Sequence, residues 1–244
     1  MIQSGVYYAL KGKVSILTIS NKPVNSLTLS IRQGINIGID QAIKDKSKSI
    51  IISGNDKQFS NGIDLIEYTR KKHLISPNLN DIIKKIDNLN IPIIANINGN
   101  AIGSGLELAL ACHWRLATSN SQFSFPQVNL GLIPCNGGTQ RLLRLIGLKN
   151  AIDLIISGRD INANEALKLG LIDSIIDQNN NNNGIDNSII LDKVIEFAQS
   201  DEVLNTKLSS RQISLKSIND STEFLTTLKK KIESNSKGKS IIIN

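Results

Sequence analysis

The sequence predicts an α/β protein, on three observations. Apolar runs of β type alternate with amphipathic stretches of helical period. The junctions between them are rich in Gly, Asn and Pro. One junction reads in full as strand, turn and helix. Ile93-Ile-Ala-Asn-Ile97 leads into a turn with Gly99, Gly103 and Gly105, and residues 106–111 are strong helix formers.

Taken in order, residues 6–10 and 14–20 are β-type runs joined by Lys11-Gly-Lys13, a hairpin signal. Residues 21–26 form a turn. Residues 27–43 place Leu29, Ile35, Ile39, Ala42 and Ile43 at helical spacing. Residues 48–54, apolar and closed by Gly54, read as a buried strand. A loop over 55–62 follows, then a short helix over 65–72, with Asp64 as N-cap and Glu67 as its partner three residues on. Residues 79–89 are amphipathic, and Pro92 starts the strand at 93–97. Residues 114–118 and 122–125 are short strands, 126–138 a loop, and 139–146, 151–156 and 164–169 helices. Residues 171–176 form a last strand. Five consecutive asparagines within 178–183 mark a low-complexity loop. The expected organisation is a core over 1–177, an Asn-rich loop over 178–188 and a helical segment over 189–244, with helices at 189–199 and 221–232.

Bulk properties narrow the function. The chain has 244 residues, 40% of them hydrophobic and 4% aromatic, so a sizeable core must be aliphatic. No apolar run approaches the roughly 20 residues that span a bilayer, and no basic segment precedes an apolar one at the N-terminus. Cys112 and Cys135 make no disulfide framework, and an intracellular protein is expected. The net charge of +7 is dispersed apart from Arg70-Lys-Lys72 and Lys229-Lys-Lys231, and no nucleic-acid motif accompanies it. Cys/His metal spacing and phosphate-loop motifs are absent from the sequence, so no metal is expected.

Two stretches carry chemistry. A helix start leaves backbone N–H groups without partners, and these can hold a developing oxyanion. In 98–112 that start is Gly103-Ser-Gly105, with Glu107 on the face of Ser104 one turn away. The same residues would also serve as a glycine-eased turn with a satisfied glutamate. Lys57-Gln-Phe-Ser-Asn-Gly-Ile-Asp-Leu65 offers the Ile63 N–H near a second helix start, or merely a capped turn. A third stretch, 123–142, has no independent chemical signature, and Gln127 within it cannot titrate. Neither His73, in a basic polar turn, nor His113, beside Trp114, reads as a ligand.

In this order the three stretches resemble the enoyl-CoA hydratase/isomerase superfamily, the crotonase fold. Ser60-Asn-Gly-Ile-Asp-Leu65 is similar to its first oxyanion loop, and 98–109 to its second. Gly131-Leu-Ile-Pro134 with Gly137-Gly-Thr-Gln-Arg-Leu142 is similar to the segment that follows. Ser157-Gly-Arg-Asp-Ile161, 164–170 and 195–199 add a likeness to the N-terminal hydratase/isomerase part of the peroxisomal-type bifunctional β-oxidation enzymes.

The resemblance implies a spiral of ββα units with C-terminal helices, assembled as a trimer or hexamer. It implies a fatty acyl-CoA thioester as substrate, with coenzyme A entering only as part of it. The thioester carbonyl would lie between the N–H groups of Ile63 and Ser104. Ser60, Asn61, Gly62, Ile63, Asp64, Gly103 and Ser104 would form the CoA and acyl site. Glu107 matches the first of two catalytic glutamates, and Gln127 stands where the second is expected. The helical segment after 189 is expected to be shortened relative to the family. An amide orients water but moves no proton, so three readings follow: a slow enoyl-CoA hydratase, an isomerase or other one-carboxylate acyl-CoA enzyme, and a non-catalytic CoA-thioester binder. Membrane and nucleic-acid partners are not expected.

Overall fold

A computed structural model describes residues 5–55, 58–176, 187–208, 225–227 and 229–230. The hairpin is formed by β1 (Val6–Lys11) and β2 (Val14–Ile19), paired antiparallel. Then come α1 (Leu29–Lys44), β3 (Ser49–Ser53), β4 (Gln58–Ser60), α2 (Leu65–Thr69), α3 (Leu79–Asp87), β5 (Ile93–Ile97), β6 (Asn100–Ile102) and α4 (Ser104–Ala111). The chain continues with β7 (Trp114–Ala117), β8 (Gln122–Ser124), α5 (Gly138–Ile146), α6 (Leu148–Ser157), β9 (Ile161–Asn162), α7 (Ala163–Leu169), β10 (Ser174–Ile175), α8 (Asn187–Ala198) and α9 (Asp201–Asn205).

Three strand pairs in a row split in the same way. β3, β5 and β7 enter a six-stranded sheet, ordered β1-β2-β3-β5-β7-β10, and all its pairings after the hairpin are parallel. Their successors β4, β6 and β8 enter a four-stranded sheet, ordered β4-β6-β8-β9. Helices separate successive pairs. This repeat is the expected ββα spiral.

The inner strands β2, β3, β5 and β7 of the large sheet are buried on both faces, and their apolar residues alternate between two clusters at the strand period of two. Leu17, Ile50, Ile52, Ile93, Ala95 and Ile97 face the cluster shared with α1, α3 and α4. Ile16, Ile51, Ile94, Trp114 and Leu116 face the cluster covered by Ile190, Val194 and Ala198 of α8. The Phe197 ring meets Trp114 edge-on at 6.4 Å. α8 therefore seals one face, and the helix starts that follow β4 and β6 gather on the other.

Several expectations need correction. The helix expected over 65–72 stops at Thr69, because Lys71 takes a left-handed φ of 56° and a 3-10 turn over Lys72–Leu74 replaces the last helical turn. Asp64 does cap α2, accepting from the Glu67 N–H at 2.8 Å. Glu67 does not reach back to it. Its carboxylate accepts from the Leu29 N–H at 2.8 Å and lies 3.5 Å from Arg32, so it caps α1 instead. The last strand shrinks from 171–176 to two residues. Leu171 N–H closes α7 onto Ala166 O and takes no part in a ladder, while Asp173 still bonds across to β7, its N–H donating to Arg115 O at 2.9 Å and its carboxylate accepting from the Arg115 N–H at 2.7 Å. Three very short strands, β4, β6 and β9, were not expected, nor were the 3-10 turn over Pro126–Leu130 and α9. The asparagine run lies outside the described residues. Of the second tail helix, 225–227 and 229–230 are helical.

Cys112, at the C-cap of α4, is 3% exposed. Burial pushes its thiol from 9.0 up to about 12, against the weaker pull of Arg115 and Arg141. Because the folded value is raised, the stability gained by keeping this thiol protonated is whole below pH 9. It is lost as pH climbs from 9 toward 12, at up to about 1.36 kcal/mol per pH unit. Alkaline unfolding followed by circular dichroism should steepen over that window in the wild type and flatten in Cys112→Ala.

Candidate active site

The two Gly-bearing loops meet backbone to backbone. Gly62 has φ +88°, and a Cβ there would lie 2.8 Å from Ile102 O and 2.9 Å from Ser104 N. A Cβ on Gly105 would lie 2.3 Å from Ser60 O. Only glycine permits either approach. With ordinary bond lengths, these contacts hold the amide nitrogens of Ile63 and Ser104 within about 7 Å of each other. Neither amide donates to a protein acceptor among the described residues. Gly105→Ala is expected to lower stability by about 1–3 kcal/mol, because backbone must move to admit the methyl group; chemical denaturation measures it.

Ser60 and Asn25 hold the first loop in place. Asn25, fully buried at φ 56°, sends its Nδ2 to the carbonyls of Ile19, Gln58 and Phe59. Ser60 Oγ donates to Asn25 O at 2.7 Å and accepts from the Gly62 N–H at 3.0 Å. Ser60 is fully buried, so its expected contact with a ligand is corrected: both roles of its hydroxyl are used inside the protein. Losing the three Asn25 amide bonds leaves buried carbonyls unmatched, so Asn25→Ala should cost about 2–4 kcal/mol in the same denaturation experiment.

Glu107, on the first turn of α4, is 1% exposed. Its carboxylate accepts four hydrogen bonds. Oε1 takes the Asn136 N–H at 2.6 Å and the Gly138 N–H at 3.1 Å. Oε2 takes Asn136 Nδ2 at 2.7 Å and Ser104 Oγ at 3.2 Å. The loop before α5 therefore closes over the carboxylate. Gln127 lies against the α4 start, with Nε2 3.4 Å from where a Gly103 Cβ would sit. Its Oε1 is buried without a hydrogen-bond partner among the described residues.

Ile63, Ser104 and Cys135 line two cavities at once. The larger, about 640 Å³, adds Asn61, Asp64, Gly103, Gln127 and the exposed Leu130 and Ile133. The smaller, about 470 Å³, adds Leu27, His73, Leu79 and Asn136. Of the residues expected at the site, Asn61, Ile63, Asp64, Gly103, Ser104 and Gln127 thus share one cavity. Gly62 lies at the loop contact and Glu107 behind Ser104. Partial burial and the Glu107 charge raise the Cys135 thiol above its ordinary value. Among the described residues no three His, Cys, Asp or Glu side chains group as metal ligands.

The family model for enoyl-CoA hydratase/isomerase matches residues 10–238. The chain belongs to the enoyl-CoA hydratase/isomerase family. It is 37% identical over 210 residues to the peroxisomal bifunctional enzyme of Danio rerio, covering 86% of this chain and 27% of that one. It is 42% identical over 165 residues to a probable enoyl-CoA hydratase of Bacillus subtilis (strain 168), covering 65% and 64%. A crystal structure of enoyl-CoA hydratase from Bacillus anthracis superposes with a TM-score of 0.72 at 29% identity, over 84% of this chain and 78% of that one. The chain thus spans about a quarter of the length of the peroxisomal relatives it matches.

For an enoyl-CoA hydratase/isomerase family member, the geometry adds what sequence reasoning missed. Asn136 supplies two of the four bonds to Glu107, and Cys135 stands where the two cavities meet. Both lie in the segment similar to the family, but no residue chemistry marked them, because their partners are about 30 positions upstream. Asn25 had no signal beyond its place in a turn.

Proposed function

We propose that the protein binds a fatty acyl-CoA thioester of β-oxidation and polarises its carbonyl with the Ile63 and Ser104 amides. The observation that carries this is the backbone contact of the two loops at Gly62 and Gly105, which leaves both amides beside one cavity. Charge that develops on the thioester oxygen as an enolate forms is stabilised there.

The reaction read from the site is hydration of a 2-enoyl thioester. Glu107 holds the water. The Ser104 bond, the longest of its four at 3.2 Å, is the one that water displaces. Water adds at C3 as Glu107 takes its proton, the enolate oxygen rests on the two amides, and C2 then needs a proton. Gln127 has none to give. The wild type is accordingly a slow hydratase, because a missing general acid/base costs about 10²–10⁴ in rate. One-carboxylate chemistry, such as double-bond isomerisation, remains within reach of the same site.

A second reading is a CoA-thioester binder that turns nothing over, and the four filled bonds of Glu107 favour it. Hydration of crotonyl-CoA, measured beside calorimetric binding of butyryl-CoA, separates the two. Slow turnover with binding supports the enzyme. Binding without turnover supports the second reading. No binding of either thioester removes both.

A further inference from the structure

Resting on that acyl-CoA reading, we infer that Cys135 is a second reactive centre, whose sulfur adds to C3 of a bound 2-enoyl thioester and captures it as a covalent thioether. Cys135 is an exposed free thiol. It lines both cavities together with Ile63 and Ser104, so it stands beside the thioester whichever way the two arms of the ligand run. Its sulfur lies 3.6 Å from Asn136 Nδ2. That same nitrogen lies 2.7 Å from Glu107 Oε2 and 3.4 Å from Ser104 Oγ, so thiol, carboxylate and the α4 start share one neighbour. The thiol also has a seat for a ligand beside it, because the Ile63 and Ser104 amides donate to no protein acceptor among the described residues.

A 2-enoyl thioester is electrophilic at C3. Hydrogen bonds to its carbonyl oxygen stabilise the enolate formed by any nucleophile within reach, not by water alone. Cysteine sulfur is intrinsically a strong nucleophile once its proton is gone. Partial burial, and after it the Glu107 charge, keep the Cys135 thiol protonated, so the attack needs a base, and Glu107 is the carboxylate at hand. The step balances within the site. Glu107 takes the thiol proton as the S–C3 bond forms. The C2=C3 electron pair moves toward the carbonyl, and the enolate oxygen rests on the two amides. The Glu107 carboxyl then returns that proton to C2. The net change is addition of S–H across the double bond, with coenzyme A kept in the product. Slow hydration leaves the enoyl group in place for this competing reaction, and the adduct blocks the site that formed it. Cys112, 3% exposed, is sealed in the core and does not compete.

The test is intact-protein mass spectrometry, after an acid quench, of wild type, Cys135→Ser and Glu107→Gln incubated with crotonyl-CoA. Wild type should gain the mass of a single crotonyl-CoA. Butyryl-CoA has no double bond and should add nothing, and in excess it should slow the capture of crotonyl-CoA by occupying the site. Cys135→Ser should show no adduct. Glu107→Gln keeps the thiol and should form the adduct about 10²–10⁴-fold more slowly. The inference is overturned by no adduct in wild type, or by an adduct that persists in Cys135→Ser. It is overturned equally by capture that proceeds at the wild-type rate in Glu107→Gln or under excess butyryl-CoA. Calorimetry of butyryl-CoA with wild type distinguishes the two failures: binding without capture leaves the acyl-CoA reading standing, and absence of binding removes both.

Discussion

Gln127→Glu should raise crotonyl-CoA hydration by about 10²–10⁴, the usual worth of a positioned general acid/base. At roughly 1.36 kcal/mol per decade, that lowers the barrier by about 3–5 kcal/mol. The site is prepared for the change. The Gln127 amide already lies against Gly103 at the α4 start, and a carboxylate is favoured at a helix N-terminus. The substitution adds no volume, and it removes an amide whose Oε1 finds no hydrogen-bond partner among the described residues. The new carboxyl can hand C2 the proton that the enolate needs. It should also give the pH–rate profile an alkaline-side limb that the wild type lacks, because the donor must be protonated. Turnover equal to wild type, with butyryl-CoA binding intact, would show that Gln127 is not where the proton passes.

Glu107→Gln should reduce the remaining hydration by about 10²–10⁴ while leaving thioester affinity close to wild type. The expected split comes from the geometry. On the proposed reading, affinity rests on backbone N–H groups at Ile63 and Ser104, which the substitution does not touch. The carboxylate accepts from four donors in two segments, and an amide can accept on only one of its two arms. The Asn136 and Gly138 amides would keep the remaining oxygen, so Asn136 Nδ2 and Ser104 Oγ lose their acceptor. A loss of about 2–3 kcal/mol in stability should accompany the loss of activity, since bonds to a charged group are worth about 1.5–3 kcal/mol each. Activity lost with stability unchanged would mean that the loop before α5 does not depend on Glu107. Stability lost with turnover unchanged would mean that Glu107 is structural alone.

The long elements were legible because their periodicity survives in the chain. α1 and α3 show the helical repeat, and the unbroken apolar runs of β3 and β5 match two buried faces. β4, β6 and β9, with two or three residues each, are too short to display any period, yet they build the second sheet and set the positions of both loops. Asp64 and Glu67 show the same limit at the scale of one side chain. The spacing marked a cap, and only the fold turned Glu67 toward α1.

By itself, then, the sequence determined the α/β class, the order of the long elements, and the two helix starts with their glycines, because propensity and local period are properties of neighbours in the chain. Whether Ile63 and Ser104 share one cavity, that the Ser60 hydroxyl braces the first loop, and that Asn136 closes over Glu107 were decided by tertiary structure alone. Each is a pairing of groups from separate segments, and close packing of the two sheets is what brings such groups within hydrogen-bond reach.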